Sequence, residues 1–252
     1  MNVMAEYARL DGAERLHHAG VFQTDVLARI EALLPASMER TAETGCGKST
    51  ILFSNLSKHH TVFTLDDRAC DDSSVCYFET HPLTRPGVIH SVFGPTQVTL
   101  PKHAHAGEYD CVLIDGPHGL PFPELEYYRF YPHLRRGGFL ILDDVHIPTI
   151  GRLADFIQED EMFELVELVQ YTAVFRRTDA ETFDPLCDGW HLQRFNIRRT
   201  PGDFPYHLEG GMMQPFSERV AWVKPPPPPE PPPVAGFGRR LGRALRMLRT
   251  GR

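Results

Sequence analysis

Apolar residues recur along this chain with two periods. Before Pro35, Val26, Leu27, Ile30, Leu33 and Leu34 stand at helical spacing, and the proline marks a stop. Over the next hundred residues, short apolar runs alternate with helix-sized segments. One run ends at Glu43 and meets Gly45, Cys46 and Gly47, with a helix predicted from Ser49. Further strands are predicted over residues 61–65, 88–93, 109–114 and 139–142, each ending in Asp-Asp, Gly-Pro or Asp-Gly, and a helix over 153–157. Strands separated by helices indicate βαβ units and a parallel, doubly wound α/β sheet. Residues 163–169 and 171–177 then follow with almost no connector. A link that short holds no crossover helix, so these strands are expected to be antiparallel neighbours closing the sheet.

The pattern divides the chain into a helical cap over 1–35, a main domain over 36–177 and an extension over 178–224 without clear periodicity. Residues 225–233 are proline apart from Glu230, which predicts a stiff linker over 225–236. Leu241, Leu245 and Leu248 then recur at helical spacing among arginines, predicting a basic amphipathic helix over 237–252.

Charge sharpens this division. The net charge is −7, yet residues 225–252 hold six arginines against one glutamate, which leaves −12 on the rest. An acidic body is a poor nucleic-acid binder, so none is expected as a partner of the main domain. The basic end suits weak contact with an anionic membrane surface or an acidic partner. Five cysteines without metal-type pairing, and no long apolar run, predict a reduced, cytoplasmic protein that is at most peripheral at a membrane.

The glycine loop allows two chemistries. Ala42, Gly47, Lys48 and Ser49 fit a loose phosphate-loop pattern, in which Lys48 would reach a terminal phosphate. Against that, Glu43 at the strand end suits a cationic ligand better than a triphosphate. Asp66, about twenty residues on, is placed for ribose hydroxyls. The closing hairpin does not belong to phosphate-loop sheets.

In order, Glu43-Thr44-Gly45-Cys46-Gly47, Leu65-Asp66, Leu113-Ile114-Asp115-Gly116 and Leu134-Arg135-Arg136-Gly137-Gly138 resemble the motifs of class I S-adenosylmethionine-dependent methyltransferases. Leu-Ile-Asp-Gly-Pro-His with Leu-Asp-Asp looks most like the catechol and sugar O-methyltransferase branch. The resemblance covers roughly residues 21–177. It implies a Rossmann-like sheet and S-adenosylmethionine held by Glu43, Thr44, Gly45, Cys46, Gly47, Ser49, Asp66, Gly94 and Asp115. The reaction it implies is methyl transfer to a small hydroxylated acceptor, sugar-like or phenolic. A nucleotide hydrolase or kinase is the rival enzyme reading, and a cofactor-binding scaffold the non-catalytic one.

Asp115, Asp143 and Asp144 end two apolar strands, where ligands of open α/β sheets bind. Converging there, three carboxylates would suit a hard cation such as Mg2+. The blander reading has Asp115 lining the cofactor pocket and Asp143 capping the next helix. His118 and His146 follow these acids in loops, and either could serve as general base or ligand.

Overall fold

The computed structural model describes residues 2–11 and 22–199. Residues 12–21, with His17 and His18, and residues 200–252, with the expected linker and basic helix, lie outside the described residues.

Two helices, α1 (Val3–Asp11) and α2 (Thr24–Leu33), precede the sheet. Then follow β1 (Met38–Thr44), α3 (Lys48–Leu56), β2 (Ser57–Thr64), α4 (Ser74–Thr80), β3 (Ile89–Phe93) and the one-turn α5 (Thr96–Thr99). Next come β4 (Tyr109–Ile114), α6 (Phe122–Phe130), β5 (Leu134–Leu142) and α7 (Pro148–Glu159). The hairpin β6 (Phe163–Val169) and β7 (Thr172–Arg177) closes the sheet, and a short α8 (Arg194–Arg199) follows. The strand order is β3-β2-β1-β4-β5-β7-β6. The first five strands run parallel, and β7 is antiparallel to both β5 and β6. The expected Rossmann-like sheet with a terminal hairpin is therefore present. Gln170 carries the hairpin turn at φ +55°, the hand that primed two-residue turns need.

The central strand β4 is buried at every position, as a parallel strand covered on both faces must be. Its alternate residues feed two cores. Cys111 and Leu113 face α1, α2, α3 and α4, while Val112 and Ile114 face α6 and α7. On the second side, Tyr127, Phe130 and Tyr131, which precede Leu134 in the sequence, are packed against the sheet.

Several predicted boundaries shift. Helix α3 starts at Lys48, one residue before the expected Ser49. Strand β2 starts at Ser57 rather than 61 and ends before the exposed Leu65, because its polar first half lies at the rim. Strand β5 starts at Leu134 rather than 139: the Gly137-Gly138 pair reads as a loop but sits inside the strand, beside a register shift in β4. Gly138 is needed there, since a Cβ would stand 3.0 Å from the Asp110 carbonyl oxygen. Helix α7 spans 148–159 rather than 153–157, because Pro148 occupies the first turn, where no N–H is required.

Candidate active site

The loops after β1, β2, β3, β4 and β5 all open at the carboxyl edge of the sheet. The β1 and β4 loops touch most closely. Gly45 has φ +83°, and a Cβ there would lie 2.4 Å from the Asp115 carbonyl oxygen, so both backbone and space demand glycine. The Asp115 N–H donates to Thr44 Oγ1 at 3.1 Å, tying the two loops a second way.

The Glu43 carboxylate, at the end of β1, is held by neighbouring elements. It is fully buried; Oε1 accepts from the Thr50 hydroxyl and lies 3.1 Å from His60 Nε2, while Thr41 stands 2.8 Å from the other ring nitrogen of His60. Thr50 also accepts from the Gly47 N–H at 3.0 Å. Glu43 Oε1 thus ties the end of β1 to Thr50 on α3 and His60 on β2. The part played by His60 carries no sequence signal, since a histidine pair at the polar start of a strand reads as solvated. Thr44, Cys46 and Ser49 are buried as well. Cys46 accepts from the Thr64 hydroxyl at 3.2 Å, and burial pushes its thiol up to about 12, which makes it inert.

Lys48 decides against a phosphate loop. It is fully buried, with Nζ 5.8 Å from the centre of the Tyr7 ring, and so is turned into the core beneath α1. A phosphate-binding lysine must instead reach the ligand.

Asp66 is exposed just past β2, 3.0 Å from Arg68. Asp67 is not equivalent to it: its carboxylate accepts from the Ser73 hydroxyl and from the N–H groups of Ser74 and Val75, capping α4. Gly94 follows β3 at φ +135° and donates its N–H to the Thr64 carbonyl. Gly45, Asp66 and Gly94 thus stand at consecutive strand ends along one edge.

At the ends of β4 and β5, Asp115, His118 and Asp144 converge. His118 Nε2 lies 3.4 Å from Asp144 Oδ2 and 3.8 Å from Asp115 Oδ1. Asp144 takes φ +55°, a left-handed conformation that aspartate tolerates, and this turns its side chain inward. On its other side, His146 Nδ1 is 3.6 Å away, its ring set against Tyr171. Thr149 holds the loop by donating to the His118 carbonyl. Asp143 is directed elsewhere: it accepts from the buried Thr172 hydroxyl at the start of β7. Among the described residues, the side chains close enough to share an ion are therefore Asp115, His118 and Asp144, with ligand atoms within 4.8 Å of one another. Histidine thus stands where a third carboxylate was expected. Sequence could not show this, because Thr172 comes from a distant strand.

The electrostatics follow from crowding. Burial, assisted by the charges of Asp143 and Asp144, pushes Asp115 up to about 7, against the pull of His118. Hydrogen bonding to Asp115, with the surrounding carboxylates, raises His118 against its desolvation. Burial raises Asp143 too, opposed by Thr172. Such a set favours protons or a cation and disfavours added negative charge.

Comparison with known proteins bears on the domain and the fold. Residues 42–145 match the family model described as a methyltransferase domain. The chain is similar in structure to the O-methyltransferase from Bacillus cereus in complex with SAH, with 15% identity and a TM-score of 0.51, covering 71% of this chain and 91% of that one. It is also similar to the cofactor-bound Rv0187 from MTB, with 16% identity and a TM-score of 0.52, covering 71% and 90%. At these identities the structural likeness speaks for the fold. No curated protein is significantly similar to the chain in sequence.

Proposed function

We propose that this chain, a class I S-adenosylmethionine-dependent methyltransferase, delivers its methyl group to a hydroxyl of a small sugar-like or phenolic acceptor. The observation that carries this reading is the convergence of Asp115, His118 and Asp144 at the strand ends. S-adenosylmethionine, when bound, supplies an electrophilic methyl group on a sulfonium; the protein must then align and deprotonate the acceptor.

The residues fit the cofactor. Gly45 lets the β1 loop close onto the Asp115 backbone, and Asp66 presents an exposed carboxylate suited to two ribose hydroxyls. Gly94 borders the next loop. Thr44, Cys46 and Ser49 support the loop from within, and Glu43 holds its helix in place through Thr50.

The acid cluster fits a divalent cation. His118 Nε2 is buried between two carboxylates, 3.4 Å from Asp144 Oδ2 and 3.8 Å from Asp115 Oδ1, an arrangement that leaves these oxygens grouped around one point. In our reading Asp115 and Asp144 hold the cation, Mg2+ or a similar ion, which would lower the pKa of a chelated hydroxyl. His118 then receives the acceptor proton, because its neighbours raise its basicity. His146, exposed and packed on Tyr171, flanks Asp144 as the second basic group.

The test is product mass analysis with labelled cofactor and a panel of glycosides and phenols, with and without chelator. Methylation of a hydroxyl, suppressed by chelator and restored by Mg2+, is the expected result. Transfer to amines alone would overturn the oxygen assignment, and chelator-insensitive transfer the metal. No helix among the described residues is long and apolar enough to cross a membrane. For residues 237–252 we further propose salt-sensitive contact with an anionic surface, based on their arginines.

A further inference from the structure

Glu126, on α6, takes no part in the chemistry above, yet it is only 1% exposed and forms no salt bridge among the described residues. A buried carboxyl is expensive, and an apolar residue would fill the same space at less cost. What it touches suggests why it is there. Thr44 Oγ1 donates to Glu126 Oε2 at 2.7 Å, and the same Thr44 oxygen accepts the Asp115 N–H at 3.1 Å. Glu126 Oε1 lies against Gly116, where a Cβ would stand only 2.3 Å away. Thr96, at the start of α5, faces the carboxyl from the β3 side. One side chain therefore meets the loops after β1, β3 and β4.

We propose that Glu126 is a positioning residue: by fixing the Thr44 hydroxyl and packing on Gly116, it locks the cofactor loop onto the strand end that carries Asp115. The chain of contacts has a definite polarity. Thr44 has one hydroxyl proton. Because Glu126 accepts it, the oxygen lone pairs are left to accept the Asp115 N–H. Without an acceptor at this position, Thr44 is free to rotate and the link to Asp115 is lost. Thr44 is fully buried, so its hydroxyl acts through this link and not by touching the cofactor. Burial raises the Glu126 carboxyl to about 7, against the pull of Thr96, Thr44 and His118, and a protonated carboxyl still presents an acceptor oxygen to Thr44.

The test compares Glu126→Leu, Glu126→Gln and Thr44→Val by thermal unfolding and by calorimetry with S-adenosylhomocysteine. Glu126→Leu fills the space without an acceptor, and Thr44→Val removes the hydroxyl at constant shape. Each is expected to stay folded and to weaken S-adenosylhomocysteine binding about tenfold, the scale of one lost hydrogen bond to a carboxyl group. The double variant should be no weaker than either alone, because both break one chain. Glu126→Gln keeps an acceptor oxygen and should bind within a few fold of the unmodified protein. Should Glu126→Leu fail to fold, Thr44→Val against Glu126→Gln carries the comparison. Binding by the Thr44→Val single variant within twofold of the unmodified protein, or additive losses in the double variant, would overturn the inference. The affinity readout needs only cofactor binding, so a protein that binds S-adenosylhomocysteine but methylates no hydroxyl sinks the acceptor reading and leaves this one standing.

Discussion

At the scale of single residues, the proposed chemistry rests on Asp115, His118 and Asp144, and substitution tests the role given to each. His118→Ala should lower transfer at least about a hundredfold, the scale of a lost general base, while S-adenosylhomocysteine affinity stays within a few fold. Equal losses in both would instead place His118 in the cofactor pocket. Proton competition adds a pH signature. Asp115 sits at about 7 and must release its proton before it binds a cation, so Mn2+ or Mg2+ affinity should rise as pH increases through 7. A flat titration between pH 6 and 8 would remove Asp115 from the ligand set. Glu126 gives a second signature with its own sign. Its folded value, about 7, is above the ordinary carboxyl value, so folding retains a proton that the unfolded chain has already released from about pH 4 upward. Its contribution to stability is therefore present at low pH and lost as pH rises toward 7. Relative to the unmodified protein, Glu126→Gln should gain stability between pH 5 and pH 8 in urea unfolding. Taking the difference matters, because His105, lowered to about 4 by burial, contributes with the opposite sign.

At the scale of elements, the loops are held by contacts that sequence reveals only in part. The strands and the closing hairpin were legible because their signals are local: apolar runs, turn residues and a connector too short for a helix. The glycine loop and the acids at the strand ends were legible for the same reason, since order along the chain sets order along a parallel sheet. Side-chain direction was not. Glu43 turning to His60, Lys48 turning beneath Tyr7, and Asp143 turning to Thr172 all depend on partners from other elements. The loop contact itself gives a sharp prediction. In Gly45→Ala the new methyl group would sit 2.4 Å from the Asp115 carbonyl and force a left-handed alanine, so the β1 and β4 loops must separate. Loss of S-adenosylhomocysteine binding is expected in a protein that still unfolds cooperatively. Binding within a few fold of the original would show that the two loops can part without consequence.

At the scale of the whole molecule, the candidate site and the basic residues fall in different stretches of the sequence. The site lies at the carboxyl edge of a sheet formed by residues 38–177, whereas the six arginines of residues 225–252 follow a run of prolines. If the arginines serve to hold the enzyme near an anionic surface, removing them should change where it acts and not what it does. Near such a surface each arginine contributes about 1 kcal/mol at low salt, enough together for measurable binding although the segment holds few apolar residues. The full chain should therefore sediment with vesicles containing anionic lipid and be released as ionic strength rises. A chain ending before Pro225 should stay in the supernatant with its S-adenosylhomocysteine affinity unchanged. Vesicle binding that survives the truncation would move the contact to the body, where the balance of −12 makes attraction to an anionic surface hard to explain.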